Sequence, residues 1–122
     1  MDLFAGICVS DFEAARPWYV ALFGAEPSFL PHDTEAVWER IDHGYVYIVE
    51  DAERAGKAVL TLFLEDLESE VAAIAERGLE PVDRETYSNG VRKVTYRDAD
   101  GNEIGFGGAP SAGPGHRETV VA

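Results

Sequence analysis

The side chains best suited to nucleophilic catalysis are few and scattered along this sequence. Cys8 is the only cysteine, and its apolar neighbours predict a small buried hydrophobic residue in preference to a reactive thiol. The three histidines, His32, His43 and His116, fall in predicted turns or in the C-terminal tail, where a solvated side chain is more common than a ligand. No serine lies beside a histidine in sequence, so no nucleophile–base pair stands out.

Carboxylates are abundant, and their number limits the classes of partner. The chain has 23 acidic and 10 basic residues, for a net charge of −13. Such a surface repels phosphate backbones and anionic membrane surfaces, so we expect no nucleic acid and no membrane as partners. The same charge attracts cationic ligands by long-range steering, although it also serves solubility alone.

The elements that must position any site fit into a single domain. The chain has 122 residues, of which 46% are hydrophobic, enough for one packed core. No apolar run approaches the roughly 18 residues of a membrane helix, and the start of the chain lacks the basic region of a signal peptide. We therefore expect a cytoplasmic protein.

Hydrophobic periodicity predicts the same order of elements twice. Ser10 and Glu13 match a capping box at the start of the first helix, and Gly24 ends that helix. Asp66 caps the second helix, and Gly78 ends it. The predicted strands are residues 3–9, 27–30, 36–41 and 45–49 in the first half, and residues 58–64, 81–86, 91–97 and 103–106 in the second.

An internal repeat supports this order. Residues 24–27 and 78–81 share the pattern Gly-x-Glu-Pro at an offset of 54, Asp11 matches Asp66 at 55, and Gly44 matches Gly101 at 57. The sequence thus predicts an α+β fold of two tandem βαβββ modules that form curved mixed β-sheets around a cavity, with helices outside. The predicted boundaries are a single domain at 1–107, with module one at 2–50, a linker at 51–57 and module two at 58–107, followed by a Gly/Pro-rich tail at 108–122 with no expected regular structure.

Two segments resemble the vicinal oxygen chelate superfamily, which includes glyoxalase I, extradiol dioxygenases and bleomycin resistance proteins. Residues 9–24 resemble its opening helix, V-x-D followed by A-x-x-F-Y-x-x-L-F-G. Residues 97–104, Arg-Asp-Ala-Asp-Gly-Asn-Glu-Ile, resemble its R-D-P-D-G-N-x-I, with Ala99 in place of the proline. The resemblance covers about residues 2–107 and implies the fold, but this fold hosts several unrelated chemistries.

The resemblance also implies where a metal would be bound. Metal-dependent members have a histidine on the first strand of each half and a carboxylate on the last. Here the corresponding residues are Phe4 and Val59 on the first strands, Tyr47 or Ile48 on the last strand of module one, and Gly105 on that of module two. None is a usual ligand of a divalent ion, and Glu50 is the nearest carboxylate. We therefore expect neither a metal nor another cofactor.

Without an ion, the residues at these positions predict an apolar and partly aromatic cavity. Aromatic walls suit flat or conjugated ligands, and cation–π contacts would favour a positive charge on them. The alternative is that the same side chains only fill the core, because alternation along a strand does not say which face is which. The predicted ligand-binding residues are Phe4, Trp38, Tyr45, Tyr47, Val59, Tyr96 and Gly105.

Three functions compete at this point. The first is a metal-independent small-molecule-binding protein that resembles bleomycin resistance proteins and sequesters an aromatic ligand, with or without positive charge, in antibiotic resistance. The second is a glyoxalase- or dioxygenase-like lyase, isomerase or oxygenase, metal-free or with a non-standard metal site. The third is a degenerate domain kept for protein association. We also expect a homodimer with two equivalent cavities, because open sheets with apolar residues at their edges need a partner.

Overall fold

A computed structural model describes residues 1–110 and 119–121 of the chain. Module one contains β1 (Leu3–Val9), α1 (Phe12–Phe23), β2 (Phe29–His32), β3 (Glu35–Ile41) and β4 (Gly44–Glu50). Module two contains β5 (Val59–Leu64), α2 (Leu67–Glu76), β6 (Asp83–Tyr87), β7 (Arg92–Arg97) and β8 (Glu103–Gly108), and β9 (Thr119–Val121) follows. The α+β fold of two βαβββ modules is confirmed.

Each module builds its own mixed sheet. The strand order is β1-β4-β3-β2 in module one and β5-β8-β7-β6-β9 in module two. The first strand of each module runs parallel to the last one, and the remaining strands of the repeat are antiparallel. A parallel pair requires a crossover, and in each module the helix lies within it.

The two helices begin with the same aspartate cap. Asp11 accepts a hydrogen bond from the Ala14 amide at 3.2 Å, and Asp66 accepts one from the Ser69 amide at 3.1 Å. Each bond satisfies one of the amides that the first turn of a helix leaves without a partner. The predicted capping box at Ser10 is wrong by one residue, because the Ser10 hydroxyl donates instead to Asp100 at 2.6 Å.

One hydrophobic core joins the two modules. It contains the inner faces of both helices and of both sheets, with Trp38, Tyr19, Tyr96 and Phe106 among its largest fully buried side chains. Burial of such rings removes the largest apolar areas in the chain from water and stabilises both modules together.

A buried polar cluster in the turn between β7 and β8 also joins the modules. One carboxylate oxygen of Asp98 accepts from the amides of Asp100 and Asn102, and the other accepts from the Tyr19 hydroxyl of module one at 2.7 Å. The Asn102 amide group donates to the carbonyl of Cys8 at 2.9 Å. The Asp-Ala-Asp-Gly-Asn segment is therefore a structural joint between the modules.

Some predicted boundaries need correction. β2 and β6 each start two residues later than predicted, at Phe29 and Asp83. The predicted match of Gly44 with Gly101 is also wrong: β4 and β8 pair with β1 and β5 in registers that align His43 with Gly101. Both of these residues have positive φ, 64° and 99° respectively, which is the left-handed conformation that the turn requires.

The tail contains a further strand at its end. β9 pairs in parallel with β6 and adds a fifth strand to the sheet of module two, although nothing in the sequence of the tail demanded regular structure. Within the described residues, no helix is both long enough and apolar enough to cross a membrane.

Candidate functional site

Each sheet has one face on the helices and one face turned away from them, which we call the open face. Strand alternation assigns the residues: Ile7, Val46 and Ile48 are buried against α1, and their strand neighbours point to the opposite side. The open face of module one carries Phe4, Gly6, Cys8, Phe29, Val37, Glu39, Tyr45, Tyr47 and Val49. The open face of module two carries Val59, Thr61, Phe63, Glu85, Lys93, Thr95, Arg97, Glu103, Gly105 and Gly107.

Three aromatic rings cluster on the open face of module one. Phe4 and Tyr45 are cross-strand neighbours in the parallel β1–β4 pair, and their rings stack with 4.5 Å between centroids and 10° between planes. The Phe29 ring approaches Tyr45 edge-on at 6.4 Å. Phe4 is 49% exposed and Phe29 is 45% exposed, so these rings form a surface that a planar ligand can reach.

A carboxylate borders this cluster. Glu39 lies opposite Tyr45 in the β3–β4 pair, close enough for its charge to act on the Tyr45 phenol. Desolvation by the surrounding rings raises the pKa of Tyr45, and the negative charges of Glu39 and Asp2 raise it further. The phenol therefore stays neutral at physiological pH, while the carboxylate gives the cluster a negative edge.

Tyr47 lies further along β4 on the same face. It pairs with Gly6, and its ring lies directly over that glycine, where a Cβ would stand 2.5 Å from the Tyr47 Cζ and hydroxyl. Ile48 is fully buried on the helix side. The sequence left open whether Tyr47 or Ile48 corresponds to the metal-ligand position on the last strand of module one. Because Tyr47 lies on the open face and Ile48 on the helix side, the corresponding residue is Tyr47.

Glycines on β8 make room for side chains of the flanking strands on the open face of module two. A Cβ at Gly105 would stand 2.7 Å from Cε of Lys93 and 3.3 Å from Oγ1 of Thr61. A Cβ at Gly107 would stand 3.0 Å from the ring of Phe63. The absence of side chains at residues 105 and 107 thus lets Lys93 and Phe63 lie flat across the strand.

The other two predicted aromatic residues lie elsewhere. Trp38 and Tyr96 are each 1% exposed and belong to the core on the helix side of their sheets. Trp38 donates its indole N–H to the carbonyl of Ala25 at 2.8 Å. The Tyr96 hydroxyl is buried without a hydrogen-bond partner among the described residues, and burial raises its pKa to about 12.

The seven predicted residues therefore separate into three groups. Phe4, Tyr45 and Tyr47 share the open face of module one, Val59 and Gly105 share that of module two, and Trp38 and Tyr96 are in the core. The prediction missed Phe29, Glu39 and Lys93. Hydrophobic alternation in β2 and β3 could have indicated the first two once the register of β4 was known.

The donor set does not fit the divalent ion that the resemblance implies. Phe4, Tyr47, Val59 and Gly105 all point to open faces, yet none offers a carboxylate or an imidazole. The nearest carboxylate, Glu50, accepts from the amide of Phe12 at 3.0 Å and thereby supports the start of α1. Residues 1–110 and 119–121 include no group of three or more His, Cys, Asp or Glu side chains able to hold an ion.

The described histidines are engaged in local pairs. His32 lies 2.9 Å from Glu35, and His43 lies 2.7 Å from Asp2. Both side chains are more than half exposed, so these pairs at the ends of strands contribute little to stability. His116 lies outside the described residues.

Solved structures show what the chain is similar to. The glyoxalase/bleomycin resistance protein from Catenulispora acidiphila DSM 44928 is 55% identical, with 90% of this chain and 99% of that chain covered and a TM-score of 0.87. A bleomycin-binding protein complexed with bleomycin is 16% identical over 88% and 98% of the two chains, with a TM-score of 0.71. Lactoylglutathione lyase from Agrobacterium tumefaciens is 17% identical over 88% and 92%, with a TM-score of 0.66.

These similarities differ in weight. At 16% and 17% identity, the last two structures share the fold alone with this chain. No protein-family model matches the sequence, and no curated protein is significantly similar to it.

Proposed function

This chain belongs to the glyoxalase/bleomycin resistance protein/dioxygenase superfamily, and we propose that it is a metal-independent protein that binds and sequesters an aromatic small molecule. The observation that carries the proposal is the exposed stack of Phe4 on Tyr45, with Phe29 at its edge. An aromatic ligand that covers these rings gains stacking contacts and removes apolar surface from water.

A positive charge on the ligand would add to this binding. The Glu39 carboxylate at the edge of the stack and the net charge of −13 both attract cations. A cation over the face of Phe4 also gains a cation–π contact. Binding of a cationic aromatic drug without chemical change would give antibiotic resistance, and a cytoplasmic location is the corresponding expectation.

Isothermal titration with bleomycin and with ethidium tests the proposal, because both are aromatic cations. We expect Phe4→Leu and Tyr45→Leu each to weaken binding by about tenfold, since each removes one ring of the stack. Tyr87→Leu is the matched control, because this partly buried ring at the end of β6 belongs to none of the ring pairs of the stack. Binding that is equally strong in all three variants would contradict the assignment.

Removal of metal ions and elemental analysis test whether binding is independent of metal. We expect ethidium affinity to be unchanged after EDTA treatment, and elemental analysis to find far less than one transition metal per chain. A stoichiometric metal, or lyase or oxygenase activity that appears when Fe(II), Mn(II), Ni(II) or Zn(II) is added, would favour the enzyme alternative.

We also propose that the protein is a homodimer. Large hydrophobic side chains outside the proposed ligand contacts stay exposed on a single copy, including Leu3, Leu30 and Ile41, and a second copy can cover them. Repulsion between two chains of charge −13 is screened over about 8 Å at physiological salt. Sedimentation at 150 mM salt should therefore give twice the 13.3 kDa monomer mass, and a purely monomeric species at micromolar concentration would refute the dimer.

A further inference from the structure

The open face of module two contains a lysine in an unusual place. Lys93 points from β7 across Gly105 on the open face. The glycine leaves space for the aliphatic part of the lysine, since a Cβ there would lie 2.7 Å from Lys93 Cε. The lysine therefore places a positive charge on the open face, beside Gly105.

The ammonium group of Lys93 has no carboxylate partner in the described part of the chain. The ion pairs of residues 1–110 do not include it. Glu85 faces Lys93 across the β6–β7 pair, yet the two form no ion pair, and Glu103 is engaged by Arg97 at 3.4 Å. Lys93 therefore has its charge available for a ligand.

Its neighbours add a polar donor and an apolar surface. The position that a Cβ would take at Gly105 lies 3.3 Å from the Thr61 hydroxyl oxygen and 2.7 Å from Lys93 Cε. The hydroxyl and the end of the lysine side chain therefore lie side by side. Thr95 pairs with Gly105 and lies on the same face. The Phe63 ring is 65% exposed and lies over Gly107. Gly107 pairs with Phe63 on one side and with Lys93 on the other, so it lies between them in the sheet.

We propose that Lys93, Thr61 and Phe63 form a binding site for an aromatic compound with an anionic oxygen, such as a carboxylate or a phenolate. The ring lies against Phe63, and the oxygen accepts hydrogen bonds from the Lys93 ammonium and the Thr61 hydroxyl. Charge-assisted hydrogen bonds of this type are stronger and shorter than neutral ones. The lysine thus neutralises ligand oxygens in a site whose residues do not fit a divalent ion. The proposal deepens the proposed function, on which it rests for the existence of a small-molecule ligand.

The chain is well suited to a direct test, because Lys57 and Lys93 are its only lysines. Lysine labelled with ¹³C at Cε gives one NMR signal for each, and Lys57, exposed in the linker, is the internal control. Titration with 2-naphthoate should shift the Lys93 signal and leave the Lys57 signal in place. Neutral 2-naphthamide should bind at least about tenfold more weakly, because it lacks the charge.

Two variants separate charge from structure. Lys93→Met keeps an aliphatic chain over Gly105 and should lower 2-naphthoate affinity by about tenfold or more, whereas Lys57→Met should leave it unchanged. Gly105→Ala keeps the lysine but displaces its chain, and should also weaken 2-naphthoate binding. An unmoved Lys93 signal, or unchanged affinity in folded Lys93→Met, would overturn the site.

The probes also separate the two proposals. Equal binding of 2-naphthoate, 2-naphthamide and the cationic 2-naphthylmethylamine would overturn the Lys93 site and leave aromatic binding intact. Failure of all three probes, together with failure of ethidium and bleomycin, would overturn both proposals.

Discussion

The two modules share a backbone but differ on their open faces and in the turn before their last strand. β1 pairs with β4 and β5 pairs with β8 in the same register, so Phe4 corresponds to Val59 and Tyr47 to Gly105. At these equivalent positions, the open face of module one has aromatic rings and a carboxylate. The open face of module two has glycines instead, and the side chains of Lys93 and Phe63 lie across them. The features common to both modules specify the fold, and the features that differ are the candidates for function.

The turns show the same contrast in structural terms. In module one a two-residue turn, Asp42 and His43, connects β3 to β4, and the Asp42 side chain is 93% exposed. In module two the turn is longer, Asp98–Asn102, and its two end residues are buried and bond to module one. The repeat thus contains one joint and one plain turn, so the two halves are not interchangeable.

The largest expected effect comes from breaking the joint. Asp98→Ala removes the acceptor for two backbone amides, the Tyr19 hydroxyl and the Asn102 side chain. Loss of hydrogen bonds to a buried charged group, with their donors left without partners, should lower the free energy of unfolding by about 3 kcal/mol or more. Urea denaturation measures this change.

Asp42→Ala is the control from the other module. Its exposed side chain should change the free energy of unfolding by no more than about 0.5 kcal/mol. Similar losses in the two variants would refute the view that, of the two turns, only that of module two joins the halves.

The sequence predicted those parts of the fold that depend on local signals and failed where a distant residue decides. The order of elements and the cap at Asp66 were predictable, because helix and strand periods and capping residues are local signals. The capping box at Ser10 was wrong because its hydroxyl binds Asp100, 90 residues away. No local pattern contains such a partner.

The candidate site was less predictable than the fold. Alternation identifies two faces of a strand but not which one faces the helix, so Trp38 could not be assigned to the core in advance. Lys93 was missed because its importance depends on Gly105 in the neighbouring strand. Strand register, which the sequence does not contain directly, connects these residues.

A smaller effect is expected where the helices differ. Tyr19 in α1 corresponds to Ile74 in α2, and both are fully buried, but only Tyr19 has a hydroxyl that donates to Asp98. Tyr19→Phe makes the two helices more alike and should lower the free energy of unfolding by about 1 kcal/mol at pH 8.

The same variant has a distinctive pH dependence. Burial raises the pKa of Tyr19 above its ordinary value, and the hydrogen bond to Asp98 raises it further. In the unfolded chain this phenol ionises near pH 10, so its contribution to stability is complete below that pH and is lost as pH rises above it. The difference between wild type and Tyr19→Phe should therefore shrink above about pH 10, and a constant difference up to pH 11 would contradict this account.

The smallest effect is expected where the modules agree. Asp11→Ala and Asp66→Ala each remove the aspartate that caps a helix through the amide three residues later, so each should lower the melting temperature by about 3–6 °C.

Hydrogen bonds from Ser69 lower the pKa of Asp66. Its contribution is therefore present above the unfolded-state pKa of about 3.9 and is lost as pH falls through the lower folded-state value. Calorimetry at pH 7 and pH 3 measures the melting temperatures that test both predictions, with Glu53→Ala in the exposed linker as the control. Since each aspartate caps the amide three residues later, a loss in only one of the two variants at pH 7 would show that the two helices, despite their common start, differ in how much the fold depends on them.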